Sequence, residues 1–175
     1  MRPSPLQLQR VIYTKVSVAP NSELGDAPPR AIAFDFEGVN IKAKLGTAIK
    51  KGQEEDPRDF MVSLDILIDN KEGKPTPYSV DVGVIGLFNL LPSLDKNRRE
   101  GLLTVNGASI LYGAIREMVT SITSRFAPGS LTLPGMNFED HAPSHPKAIK
   151  ADEKSARAED EEVKSTRKKS KKSSS

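Results

Sequence analysis

The sequence predicts an α+β fold: a four-stranded antiparallel sheet packed with one long C-terminal helix and followed by a disordered basic tail. Three observations predict it. Four segments between residues 6 and 90 alternate apolar and polar side chains, the period of two that a half-buried strand requires. The connections between them are short and polar, without the crossover helices that parallel pairing needs. From residue 102 onward apolar residues recur every three or four positions, which at 3.6 residues per turn makes a single helical stripe.

In the first strand Leu6, Leu8, Ile12, Val16 and Val18 alternate with Gln7, Gln9, Tyr13, Lys15 and Ser17, and Ala19-Pro20-Asn21 ends it. Asn21 to Arg30 contains Gly25, Pro28 and Pro29 without periodicity and reads as a loop. The second strand is expected over Ala31 to Leu45, with Ile32, Phe34 and Phe36 in one phase and Val39, Ile41 and Ala43 in the other. The phase switches at Gly38, where a bulge or bend re-aims the later side chains. Gly46 to Arg58, with the Lys50-Lys51-Gly52 tip, reads as a hairpin connection. Phe60, Val62, Leu64, Ile66 and Ile68 alternate cleanly as the third strand. Lys71-Glu72-Gly73-Lys74-Pro75 is a turn by composition, and Tyr78 to Leu90 is the fourth strand, bent near Gly83 and Gly86. Short connections favour a meander, in which consecutive strands are neighbours.

The helix stripe consists of Ala108, Leu111, Ile115, Met118, Ile122 and Phe126. Asn106 has the side-chain oxygen of an N-cap, and Pro128-Gly129 stops the helix. Leu131, Leu133, Met136 and Phe138 then form an apolar coda around Pro134-Gly135, and the proline assigns it to an edge or an extended arm.

Composition divides the 175 residues into a body at 1–140 and a Lys/Ser-rich tail at 141–175. The chain carries 26 Lys and Arg against 23 Asp and Glu. Ten of the basic and six of the acidic residues lie from His141 onward, so the positive charge belongs to the tail and the body is no basic platform for nucleic acid. The tail has too little apolar surface to offset its ordering entropy, with fleeting helix expected between Ala148 and Lys164 and disorder from Thr166. The absence of cysteine excludes disulfides and thiolate metal sites. No apolar run approaches the roughly 20 residues of a membrane span, and a soluble cytoplasmic protein without membrane insertion is expected.

No catalytic constellation emerges, and neither enzyme activity nor a cofactor is predicted. His141 and His145 are separated by Pro143, which spoils helical ligand spacing, and Gly83-Val84-Ile85-Gly86 lacks the pattern of a dinucleotide loop. Asp65, Asp69 and Asp81 read as a solvated sheet face. The Arg167-Lys168-Lys169-Ser170-Lys171-Lys172 run offers phosphate contacts to RNA, DNA or anionic lipid but no aromatic for base stacking; a solubilising terminus is the preferred reading, with nucleic-acid binding through the tail as a further alternative.

Several short motifs, in order, resemble the bacterial protein-export chaperone SecB family. They are Leu8-Gln9-Arg10-Val11-Ile12-Tyr13-Thr14-Lys15, Ala19-Pro20-Asn21, Gly38-Val39-Asn40-Ile41, Val80-Asp81-Val82 to Leu87-Phe88, and Ile110-Leu111-Tyr112 through Ser124-Arg125. The last is the Leu131-x-Leu-Pro-x-Met-Asn-Phe138 stretch, so the resemblance spans about residues 6 to 139. It implies an ATP-independent holdase, assembled as a homotetrameric dimer of dimers, that wraps unfolded preproteins or other non-native polypeptides in apolar grooves. The groove residues it implies are Phe36, Val39, Ile41, Ala43 and Phe138, and Leu111, Ile115, Met118 and Ile122 are assigned to the oligomer interface. The chain departs from the family at two places. Asp140 leads into His-Ala-Pro-Ser-His-Pro where the family has a second helix. Lys15-Val16-Ser17-Val18 and the basic tail replace acidic features to which the export ATPase SecA docks, which counts against SecA as a partner. An adaptor dedicated to one partner, such as an antitoxin, is the alternative to general export.

Overall fold

The computed structural model describes residues 4–24, 31–50, 52–53, 55–91 and 96–141. The strands are β1 (Leu6–Pro20), β2 (Lys42–Ile49), β3 (Asp59–Ile68) and β4 (Tyr78–Leu90). They form one antiparallel sheet in the order β1-β4-β3-β2. The four-stranded sheet with its single long helix is therefore as expected, but the meander order is not. β2, β3 and β4 are consecutive neighbours, and β1 returns to lie beside β4, a Greek-key order. The lengths explain this: β1 pairs with β4 from Leu6↔Leu90 to Pro20↔Tyr78, whereas β2 offers eight residues. The expected tail helix at Ala148–Lys164 and disorder from Thr166 lie outside the described residues.

The second strand begins eleven residues later than its sequence pattern suggests. Residues 31–41 are turns and irregular chain, with one isolated bridge between Val39 and Gly73. Gly38 does bend the chain, with φ +80°, and its carbonyl accepts the Lys74 amide at 2.8 Å. Beyond it β2 continues through Gly46 to Ile49, because β3 supplies partners as far as Ile49↔Phe60. The expected hairpin connection is shorter by that amount.

The helix also starts earlier than the Asn106 cap implies. Helix α1 (Lys96–Leu102) runs through a π turn at Leu103–Gly107 into α2 (Ala108–Thr123), so Asn106 is interior and caps nothing. Ala108, Leu111, Tyr112, Ile115, Val119 and Thr123 face inward against Val62, Leu64, Ile66, Val82 and Val84 of the sheet. Complete burial of each such aliphatic side chain contributes about 1.5–3 kcal/mol relative to exposure. Gly86 permits the close approach: a Cβ there would lie 2.7 Å from Leu111 Cδ2 and 2.5 Å from a Phe88 ring carbon. Tyr13 ties β1 to the helix by donating its hydroxyl to the Ala114 carbonyl at 3.0 Å.

The buried stripe is centred one position away from the predicted one, on Val119 and Thr123 rather than Met118 and Ile122, and Phe126 is exposed. The cause is the coda, which lies extended along that side of α2. Thr120 donates its hydroxyl to the Leu131 carbonyl (3.1 Å), Arg116 Nε to the Leu133 carbonyl (2.9 Å) and Tyr112 its hydroxyl to the Pro134 carbonyl (2.7 Å). The Leu131 amide in turn donates to Thr123 Oγ1 at 2.8 Å. Helix positions four apart thus satisfy the carbonyls of a segment that has no strand partner.

Candidate polypeptide-binding surface

The sheet has two outer edges, and they differ. β1 carries register shifts between Leu8 and Arg10 and between Tyr13 and Lys15, irregularities that disturb further pairing. β2 pairs with β3 without a shift. The Lys50 amide donates to the Asp59 carbonyl at 3.1 Å, which sets the alternation of the ladder. Lys42, Lys44, Gly46 and Ala48 therefore bond inward to β3. Ala43, Leu45, Thr47 and Ile49 direct their amides and carbonyls outward, and among the described residues no strand meets them.

The chain that enters β2 carries apolar side chains. Phe34, Phe36, Val39, Ile41, Leu45, Phe60 and Met136 are half-buried and pack on the core. Phe34 and Phe36 meet edge to face with ring centroids 5.2 Å apart. The segment carrying them is stapled to the β3–β4 turn by Lys74, whose Nζ donates to the Asp35 carbonyl (2.8 Å) and carboxylate (2.9 Å) and lies 5.1 Å from the Phe34 ring centre. The Glu37 amide and the Lys74 side chain both hold the Asp35 carboxyl below its ordinary range. Asn40 reaches the same turn through Glu72 at 3.1 Å.

At the far end of β2 an open cavity of about 340 Å³ is lined by Thr47, Ala48, Ile49, Pro57, Phe60, Arg99, Glu100 and Leu103. Its α1 wall is anchored by buried Arg99, which donates to the Asp56 carboxylate at 2.5 Å and the Pro57 carbonyl at 3.1 Å. Hydrogen bonds from Arg99 and then Arg58 push the Asp56 carboxyl below its usual value.

The structure divides the residues assigned from sequence. Phe36, Val39 and Ile41 lie together at the surface, and Ala43 is exposed on β2 opposite Ile66. Phe138 is 2% exposed, with its ring 5.8 Å from that of Tyr112, and belongs to the core. Leu111 and Ile115 are likewise fully buried within the single chain, so they have no surface to offer another copy; Met118 and Ile122 remain half-exposed on the helix flank. Phe34 was legible through its phase with Phe36. Thr47, Ile49 and Phe60 line the cavity and were not singled out, the first two because the Gly46–Arg58 stretch reads as a hairpin connection and Phe60 because it reads as an inward position of the third strand. Asp65, Asp69 and Asp81 all lie on the sheet face away from the helix. Lys42 pairs with Asp69 at 2.8 Å, Lys15 with Asp81, and Lys44 stands opposite Asp65. Among the described residues no helix is long and apolar enough to cross a membrane.

No protein-family model matches the chain. The protein-export protein SecB of Acinetobacter baumannii is 26% identical over 128 residues, covering 70% of this chain and 84% of the relative. SecB of Acinetobacter baylyi is 29% identical over 115 residues, covering 62% and 75%. Among solved structures, a Mycobacterium tuberculosis SecB-like chaperone in complex with an antitoxin peptide is 17% identical with a TM-score of 0.46, over 76% of this chain and 91% of that one. The chain is thus similar in sequence, over most of its length, to relatives bearing the SecB name.

Proposed function

We propose that the chain is an ATP-independent holdase of the cytoplasm that keeps unfolded polypeptide extended along β2. The observation that carries this reading is a regular strand edge, unpaired among the described residues, that continues directly from the half-exposed side chains of Phe36, Val39 and Ile41. Backbone hydrogen bonds from Ala43, Leu45, Thr47 and Ile49 are indifferent to client sequence, which suits a chaperone with many clients. Apolar side chains at alternate client positions then cover the Phe36–Ile41 surface and gain roughly 25 cal/mol per Å² removed from water. Holding in this manner needs only that non-native chain expose what the surface prefers. Assembly as a dimer of dimers completes the proposal, with Met118 and Ile122 at the contact and Leu8, Val16 and Ile110, each more than a third exposed, extending it.

The experiment is suppression of aggregation of a chemically unfolded client by the full-length protein and by the double variant Val39→Asp, Ile41→Asp, with mass in solution measured alongside. Protection by the parent and its loss in the variant are expected, at unchanged mass. A monomeric parent that fails to protect at stoichiometric excess overturns the reading. Capture of one folded partner, with no protection of unrelated clients, replaces it with the dedicated adaptor.

A further inference from the structure

The cavity between β2 and α1 lies near the place where the described chain ends. The coda ends in a single turn at Glu139–His141, and that turn packs against Leu103–Gly107. Leu103 is a wall of the cavity. Gly107 sits on Val62, with a would-be Cβ 3.2 Å from Val62 Cγ2, and Val62 is the direct β3 neighbour of Thr47, another wall. The chain therefore leaves the described body beside the mouth of the cavity, with residues 142–175 still to come.

The chemistry of the two parties is complementary. The cavity is apolar through Ile49, Phe60, Pro57 and Leu103, and Ile49 is 46% exposed. The exposed carboxylate in its lining is Glu100, since Arg99 is committed to Asp56 and Pro57. The sequence after His141 reads Ala-Pro-Ser-His-Pro-Lys-Ala-Ile-Lys-Ala. Ile149 is the single large aliphatic residue between His141 and Val163, and it is bracketed by Lys147 and Lys150. It lies eight positions beyond His141, an extended reach of at most about 28 Å, which is ample for a site bordering the exit.

We infer that the Lys147–Lys150 segment docks in this cavity, with Ile149 against Ile49, Phe60 and Leu103 and a flanking lysine against Glu100. The segment then competes in cis with any chain that extends along β2 past Thr47. This regulatory consequence rests on the proposed holdase reading; the docking itself does not. Because tethering fixes the local concentration of the segment, a modest intrinsic affinity suffices to keep the cavity occupied until a client of higher affinity arrives.

The test uses the full-length protein with a benzophenone-bearing residue in place of Lys150, irradiated and mapped by mass spectrometry, with and without Ile149→Glu. Cross-links within one chain to Thr47–Ile49, Phe60 or Leu103 are expected, falling about fivefold or more with Ile149→Glu, a difference of roughly 1 kcal/mol. Cross-links scattered over the surface, absent, or formed only between isotopically distinct copies overturn the inference. A second measurement is the affinity for a ten-residue peptide of alternating leucine and threonine. Ile149→Glu in the full chain is expected to tighten it about three- to tenfold. Unchanged peptide affinity overturns the competition. Cross-links at the cavity without any peptide binding leave the docking standing and sink the holdase reading, so the two fail separately.

Discussion

Two irregular apolar segments lie on the same face of the sheet and meet opposite fates. The coda, Leu131 to Phe138, buries Leu131, Leu133 and Phe138 completely or nearly so. The crossover, Ala31 to Ile41, buries only Ala31 and leaves Phe34, Phe36, Val39 and Ile41 half-covered and Ile32 69% exposed. Hydrophobicity does not separate them. The coda has its carbonyls taken up by Thr120, Arg116 and Tyr112, so its backbone can sit inside the fold without unsatisfied polar groups. The crossover is tied down at its ends, through the Ala31 amide to the Pro128 carbonyl and through Gly38 to Lys74, and its middle stays at the surface. The coda is bonded by side chains of the helix it lies on, whereas the crossover is bonded within itself and to the exposed Lys74, so it is held at the surface and not drawn into the core.

Substitutions sharpen this contrast. Phe138→Ala should cost about 3–5 kcal/mol in denaturant unfolding, the range for deleting a buried aromatic, whereas Phe36→Ala should cost less than about 1 kcal/mol and instead weaken client protection. Equal stability losses at the two positions would break the comparison. Tyr112→Phe removes one clasp on the coda and leaves the Pro134 carbonyl unmet, an expected loss of about 1–2 kcal/mol by thermal unfolding.

The clasp and the cavity wall also differ in their response to pH. Burial lifts Tyr112 to about 12, with Arg116 opposing. A raised value means a contribution fully present below the ordinary tyrosine value of about 10 and lost as pH climbs from there toward 12. Asp56 is held low, so its anchoring of α1 is fully present above about pH 3.9 and fades as pH falls below that value. Near-ultraviolet spectra and unfolding midpoints between pH 3 and 12 should show acid loosening at α1 and alkaline loosening at the coda; a Tyr112→Phe variant that keeps the alkaline transition would refute that assignment. The smallest effect expected is that of Met118→Asp, which should move stability within about 0.5–1 kcal/mol yet lower the mass in solution. Ile115 cannot serve for this purpose, because its burial in the protomer makes any polar change a folding defect first.

Strand identity in β3 and β4 and the existence of the long helix follow from the residues alone. A period of two or of 3.6 is a local property, and sixteen to thirty residues suffice to display it. Three things waited on distant contacts. Whether β1 joins β2 or β4 depends on matching two long strands 70 residues apart. The centre of the helix stripe depends on which side the coda covers, and this moved it from Met118 and Ile122 to Val119 and Thr123. Phe138 and Phe36 look alike as sequence, and the one is core and the other surface because only the first lies where helix side chains reach across to bond the backbone around it. Period is written along the chain; burial is settled by what the chain brings back against itself.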